Sequence, residues 1–253
     1  MFLVRFCIKL VYLLHATLWY LLKYPKFKRK LEKEYQLREL SVVNFTKWRQ
    51  GSFYFKGLIG SSKVFIKTDF WLGLIKNEKL CDDLFSSDGC KHLISPLRLC
   101  DEDFAVYDYM DGVTLDIYLL NEHLSSADLA LLEVKIHELL DLLYKHKIVH
   151  RDFTPRNIFI TKKNELIAID FFFATSSSNP NFFTDIEKSN FVHMQLLKKL
   201  GVQKKLYVWD DAYSMVQGLK AIQAQSDLNI SGILKGLEKK IGRLEYCYAD
   251  RIN

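Results

Sequence analysis

The chain has 253 residues, 49% hydrophobic and 26% charged, with four prolines and eleven glycines; that is the composition of a folded chain of one large domain or two lobes, and it excludes a disordered or low-complexity protein. Five cysteines (Cys7, Cys81, Cys90, Cys100, Cys247) with no CxxC spacing exclude a disulfide framework and a zinc site, and point to reduced thiols in a cytosolic setting. The net charge of +6 lies wholly in residues 1–40, which hold nine Lys and Arg against three Glu; a nucleic-acid binder would carry its excess on the folded body, so nucleic acid is not an expected partner.

Residues 1–22, MFLVRFCIKLVYLLHATLWYLL, read as a helix. Arg5, Lys9, Tyr12, Ala16, Tyr20 and Lys23 share one stripe, and the rest of the wheel is apolar. The 13 residues between Lys9 and Lys23 reach only about 20 Å, against the roughly 30 Å of a bilayer core. No small-x-small cleavage site follows Leu22. Three readings stay open: a helix lying in the membrane interface, a helix packed on its own domain, and a signal or spanning segment. The six Lys and Arg against one Glu in 23–33 favour the first, since each basic residue adds about 1 kcal/mol on anionic lipid. The expected organisation is an apolar and basic N-terminal segment over 1–39, a first lobe over 40–111 and a second over 112–253.

From residue 40 the pattern is strand-like. SVVNFTK (41–47), FYFKGLI (53–59) and KVFIK (63–67) are β-branched and aromatic runs separated by turn residues, as in a meander. The third ends in Lys67, where an ammonium can meet an anion. FWLGLIKNEKLCDDLF (70–85) mixes apolar and charged faces like a short helix and carries Glu78, eleven residues past Lys67, with Asp82 and Asp83 as competing partners for it. FAVYDYM (104–110) is another strand, and DGVTLDIYLL (111–120) a turn opening a helix. A long amphipathic helix follows over 126–146, with Ser125 and Asp128 placed as a capping box.

The string IVHRDFTPRNIFI (148–160) comes next, then the hairpin of NIFI and LIAID around TKKNE. Asn157 and Asp170 leave the two strands as oxygen donors, a set that suits Mg²⁺, which takes few protein ligands beside phosphate oxygens. Asp152, on the same loop, can orient and deprotonate a hydroxyl. Together they form a phosphoryl-transfer layout, in which positioning and charge neutralisation carry most of the catalysis.

HRDFTPRN resembles the catalytic loop H-R-D-x-x-x-x-N of the protein-kinase-like superfamily, VFIK its V-A-I-K strand, and IDFFFA stands where D-F-G is expected. The matching order of elements runs from about residue 41 to 173. The resemblance implies a two-lobed α+β fold with a β-rich first lobe and a short helical second lobe, using ATP and Mg²⁺. It makes Lys67 the phosphate-binding lysine, Glu78 its orienting partner, Asp152 the catalytic base, and Asn157 and Asp170 the metal ligands. Tyr107, Asp108, Tyr109 and Met110 would be the hinge against adenine, and His150 a structural residue.

The sequence departs from the family in several places. The glycine-rich loop reduces to Gly51, with Gly57 and Gly60 read as part of the turn into the third strand; Phe172 replaces the last letter of D-F-G; and no A-P-E follows. A helix is expected soon after Asp170, over 185–200, and Asp211 in WDDAYSM stands either as an anchor for the catalytic loop or as a helix N-cap. Within the superfamily, the short second lobe and the basic N-terminus are most similar to bacterial lipopolysaccharide core heptose/Kdo kinases. That similarity implies a sugar or glycolipid acceptor at the anionic inner face of the cytoplasmic membrane. A protein kinase of the effector-like kind and a pseudokinase binding module stay open as rivals.

Overall fold

The structure, a computed structural model, describes residues 2–45, 48, 52–70, 72–182 and 191–248; for 2–9 and 191–193 it describes the backbone only. The chain divides into two units, residues 1–79 with 96–109 and residues 80–95 with 110–253.

The first unit is a five-stranded antiparallel sheet covered by two helices. The strands β1 (Leu37–Val42), β2 (Tyr54–Ile59), β3 (Ser62–Thr68), β4 (Leu97–Cys100) and β5 (Phe104–Asp108) lie in the order β1-β2-β3-β5-β4. The meander expected over 41–67 is present, but its first strand begins at Leu37, so the basic segment runs directly into the sheet. Gly57 lies within β2, opposite Val64, rather than in the turn; only Gly60 is in the turn, at φ +60°. The β3–β5 register sets Lys67 opposite Ala105 and Phe65 opposite Tyr107.

Helices α1 (Phe2–Leu22) and α2 (Tyr24–Tyr35) belong to this unit and are not a separate segment. The reason is aromatic packing. Trp19, 5% exposed, has its ring centroid 4.3 Å from Phe53 and 5.8 Å from Phe27. Phe27 and Leu31 of α2 join Phe53, Phe55 and Trp48 in the same core. The stripe that looked polar in sequence turns inward at Ala16, which is 1% exposed. The opposite face carries Leu10, Val11, Leu14, Leu18, Leu21 and Leu22, all open to solvent. The sequence offered a packed helix and an interfacial helix as alternatives; α1 has one face for the core and an aliphatic face left outward. No helix among the described residues is long and apolar enough to cross a membrane.

The second unit is mainly helical, built on α4 (Leu115–Asn121), α5 (Ser126–Lys145), α7 (Asp211–Gln223) and α8 (Ser231–Glu238), with α6 (Phe191–Lys199) nearer its surface. The boundary between units falls inside α3 (Ile75–Ser87), whose Cys81 and Phe85 pack into the second core with Ile136, Leu140 and Phe171. The capping box of Ser125 and Asp128 opens α5 as expected. The short strands β6 (Gly112–Thr114), β7 (Ile158–Thr161) and β8 (Leu166–Ala168) form a three-stranded sheet, and β9 (Val208–Trp209) pairs with β10 (Tyr246–Cys247).

The two faces of α1 give opposite expectations. Trp19→Ala should cost about 3–5 kcal/mol by leaving a core cavity, whereas Leu14→Ala, on the 60% exposed side, should change stability by less than about 0.5 kcal/mol. Urea denaturation of the full chain checks this, and equal effects at the two positions would contradict the packing.

Candidate active site

In the first unit, Lys67 at the end of β3 donates to Glu78 Oε1 at 3.1 Å, with both side chains almost fully buried. Burial raises the cost of leaving either charge alone, so the pair holds both groups in place. Glu78 is positioned by a carboxylate that sequence reasoning missed. Asp69, 2% exposed, accepts from the backbone N–H groups of Leu72 (2.9 Å), Leu74 (2.5 Å) and Ile75 (3.2 Å). These contacts hold the entry to α3 and delay its start to Ile75. Its signal in sequence was an Asp just beyond a strand and ahead of a helix, the usual place for a capping carboxylate. Asp82 pairs instead with Lys91 at 3.4 Å. Gly51 lies outside the described residues. Of the expected hinge, Tyr107 is buried in the sheet, and Asp108 pairs with Arg98 at 3.2 Å. The N–H groups of Asp108 and Tyr109 already donate to the carbonyls of Pro96 and Lys63. The chain enters the second unit at Met110.

In the second unit, register brings the other three residues together. Ile158 pairs with Ala168 across the β7–β8 hairpin, and the N–H of Ile169 donates to the carbonyl of Asn157 at 2.9 Å. Asn157, just before β7, and Asp170, just after β8, therefore stand at the same end of one hairpin. Asn157 Nδ2 donates to the Asp152 carbonyl and to Asp152 Oδ2, both at 2.9 Å. That bond turns the amide oxygen of Asn157 away from Asp152. Burial, then the nearby Asp170, push the Asp152 carboxyl up to about 7, with the Asn157 hydrogen bond and Arg156 opposing. A base with that affinity is suited to taking a proton from an alcohol near neutral pH. The Asp170 carboxylate beside the amide oxygen of Asn157 is a donor set that fits Mg²⁺. Among the described residues no group of three or more His, Cys, Asp or Glu could hold a metal by itself, so the ion here would need phosphate oxygens and water as well.

The loop carrying Asp152 is fastened from below. Asp211 accepts from the N–H of His150 at 2.7 Å and of Arg151 at 3.1 Å. Asp210, not Asp211, is the N-cap of α7, accepting from Tyr213 N–H; the two adjacent aspartates divide the roles that the sequence left open for one. His150 is fully buried and its Nε2 bonds the carbonyl of Ile169 at 2.9 Å, a structural position. Arg151 sits at φ +67° and Asp170 at φ +66°, left-handed conformations that cost a non-glycine residue about 1–2 kcal/mol. Phe172, in the place of a glycine, has no positive φ; it is buried 5.3 Å from the Phe173 ring, so this turn has no need of glycine. Pro155 rests on α7 at Gly218, where a Cβ would meet Pro155 Cδ at 2.4 Å.

The raised carboxyl of Asp152 has a consequence for stability. The folded state holds a proton that the unfolded state has released, so the penalty of the buried charge is full above pH 7. It shrinks as pH falls through about 7 and vanishes near the ordinary carboxylate value of about 4. In metal-free buffer, Asp152→Asn should therefore be more stable than the parent at pH 8, by about 1–2 kcal/mol after solvent screening. The difference should narrow toward pH 4. Thermal denaturation across that range checks the sign; a parent protein that is the more stable at pH 8 would contradict it.

Comparison with curated proteins finds no match. A family model described as protein kinase domain matches residues 86–226, more than half of the chain, and takes in Asp152, Asn157, Asp170 and Asp211. Such a domain is a phosphotransferase, and such domains generally use ATP with Mg²⁺. With the α+β fold and the HRDFTPRN loop already in view, the chain belongs to the protein kinase domain family.

Proposed function

We propose that this kinase transfers the γ-phosphoryl group of ATP to a sugar hydroxyl of a glycolipid, at a membrane surface. The observation that carries the phosphotransfer is the placing of Asp152, Asn157 and Asp170 at one end of a hairpin. Lys67, held by Glu78, binds the α- and β-phosphates. With the N–H groups of Asp108 and Tyr109 engaged, Met110 is the hinge donor for adenine. Asp152 orients the acceptor hydroxyl and accepts its proton. The Asn157 amide oxygen and Asp170 hold Mg²⁺, which when bound neutralises charge on the phosphates.

The membrane reading rests on α1 and α2. The aliphatic face of α1 exposes six large side chains, and Lys23, Lys26, Arg29 and Lys33 beside it are open to solvent. Apolar insertion with basic contact to anionic headgroups uses both features. The glycolipid acceptor follows from that location and from the likeness to lipopolysaccharide core kinases. Because α1 also fills the first core, binding is tested by removing its outer leucines rather than the helix.

Asp152→Ala should lower kcat by about 10²–10⁴, and Asp170→Ala should remove the Mg²⁺-dependent rise in melting temperature with ATP. Turnover of ATP unchanged by Asp152→Ala would favour a pseudokinase, and phosphate found on a peptide rather than a glycolipid would favour a protein kinase. Separately, the full chain should sediment with anionic liposomes and release partly at high salt. A Leu14→Ser/Leu18→Ser variant should remain in the supernatant. A parent protein that stays soluble with such liposomes at low salt would sink the membrane reading.

A further inference from the structure

The second unit contains a cavity of about 600 Å³ bounded by the catalytic loop, α4, α6 and α7. Its wall includes Asp152 and Asn157, so an occupant lies beside the carboxylate. From α6 it receives Met194 and Leu197, three apart on one stripe, and from the turn after the helix Leu200. From α7 it receives Gly218, Ala221 and Ile222, and the small side chain at 221 leaves room beside them. The charged groups of the wall are on the loop and α4 and are engaged there. Arg156 pairs with Asp116 at 3.6 Å. The Arg151 guanidinium is held 5.5 Å from the Trp209 ring and 6.0 Å from that of Phe173. What the two helices offer is apolar, relieved by the amides of Gln217 and Gln225. Leu200, at the rim, is 64% exposed and has surface to bury against an occupant.

We infer that this cavity is the acceptor site and that it takes an amphipathic alcohol. The hydroxyl-bearing head lies at Asp152, and an aliphatic body lies between α6 and α7. The volume is that of a small-molecule site, roughly 300–1,000 Å³. A purely polar sugar would leave the α6 and α7 walls unsatisfied. A hydroxyl linked to a chain fills both ends of the cavity. The inference rests on the phosphotransferase reading of the same loop and narrows its substrate class.

The test titrates the full-length protein with methyl, hexyl and octyl glucoside below their micellar concentrations, by calorimetry. Binding should tighten with chain length, at least about tenfold from methyl to octyl, where full burial allows up to about fourfold per methylene. Ala221→Phe fills the cavity from an exposed helix position, and should weaken octyl glucoside binding at least tenfold. Leu197→Ser removes part of the opposite wall and should weaken it as well, a second check should the first variant fold poorly. Affinity that ignores chain length, or octyl binding retained in both variants, would overturn the proposal. Mg²⁺–ATP binding measured on the same samples separates the two readings. A protein that binds Mg²⁺–ATP with a flat chain-length response loses only the apolar acceptor site. One that binds octyl glucoside in an Ala221-sensitive way but binds no Mg²⁺–ATP loses the phosphotransferase reading, and the acceptor role with it.

Discussion

The active loop depends on one buried carboxylate. Asp211, 2% exposed, receives the N–H groups of two successive residues, His150 and Arg151. Burial pushes its carboxyl up, to about 7, against the pull of those two donors. The exchange is local: a buried acceptor is satisfied by the same bonds that hold Arg151 in a left-handed conformation. That conformation turns the chain so that Asp152 faces Asn157. Remove the acceptor, and two buried N–H groups lose their partner while the strained turn loses its restraint. Everything proposed for Asp152 follows from that fastening, since a base misplaced by about an ångström loses most of its advantage.

The first unit repeats the device with different groups. Asp69 gathers three N–H groups at the entrance of α3, and the helix so started carries Glu78 to Lys67. In both units a carboxylate fixes backbone, and the backbone then fixes the residue to which a part in the chemistry is proposed. Such an arrangement keeps the functional side chains on elements whose positions are over-determined, which is what preorganised electrostatics requires.

Much of this was legible in the sequence. Lys67, Asp152, Asn157 and Asp170 stood out because the chemistry proposed for them needs fixed residue types at fixed spacing, and the structure sets Lys67 on Glu78 and Asn157 on Asp152; the capping box at Ser125 is a local rule that tertiary structure had no reason to override. The N-terminal helix was harder. A wheel that is apolar on most sides does not say which side meets the core, and the answer came from Phe27 on the next helix and from Phe53 and Phe55, distant in sequence from Trp19. Asp69 was passed over because a carboxylate that gathers backbone N–H groups carries no residue-type pattern to mark it. The short β6 was missed for a related reason: it is made by pairing with a distant strand, β7, rather than by its own pattern, and β4 is only four residues long with a register shift against β5.

The contact of Gly218 with Pro155 bears on how this enzyme tolerates change. Replacing helical glycine by alanine is a standard route to a sturdier protein, because glycine in a helix is about 1 kcal/mol worse. At Gly232 in α8 the added methyl would find its nearest neighbour 3.8 Å away, ordinary contact. At Gly218 the same methyl would fall on the proline of the catalytic loop. One helix position is thus open to stabilising drift and another is closed by its nearness to Pro155. A lineage searching for thermal robustness would find position 232 permissive and position 218 frozen, the second by a single proline ring.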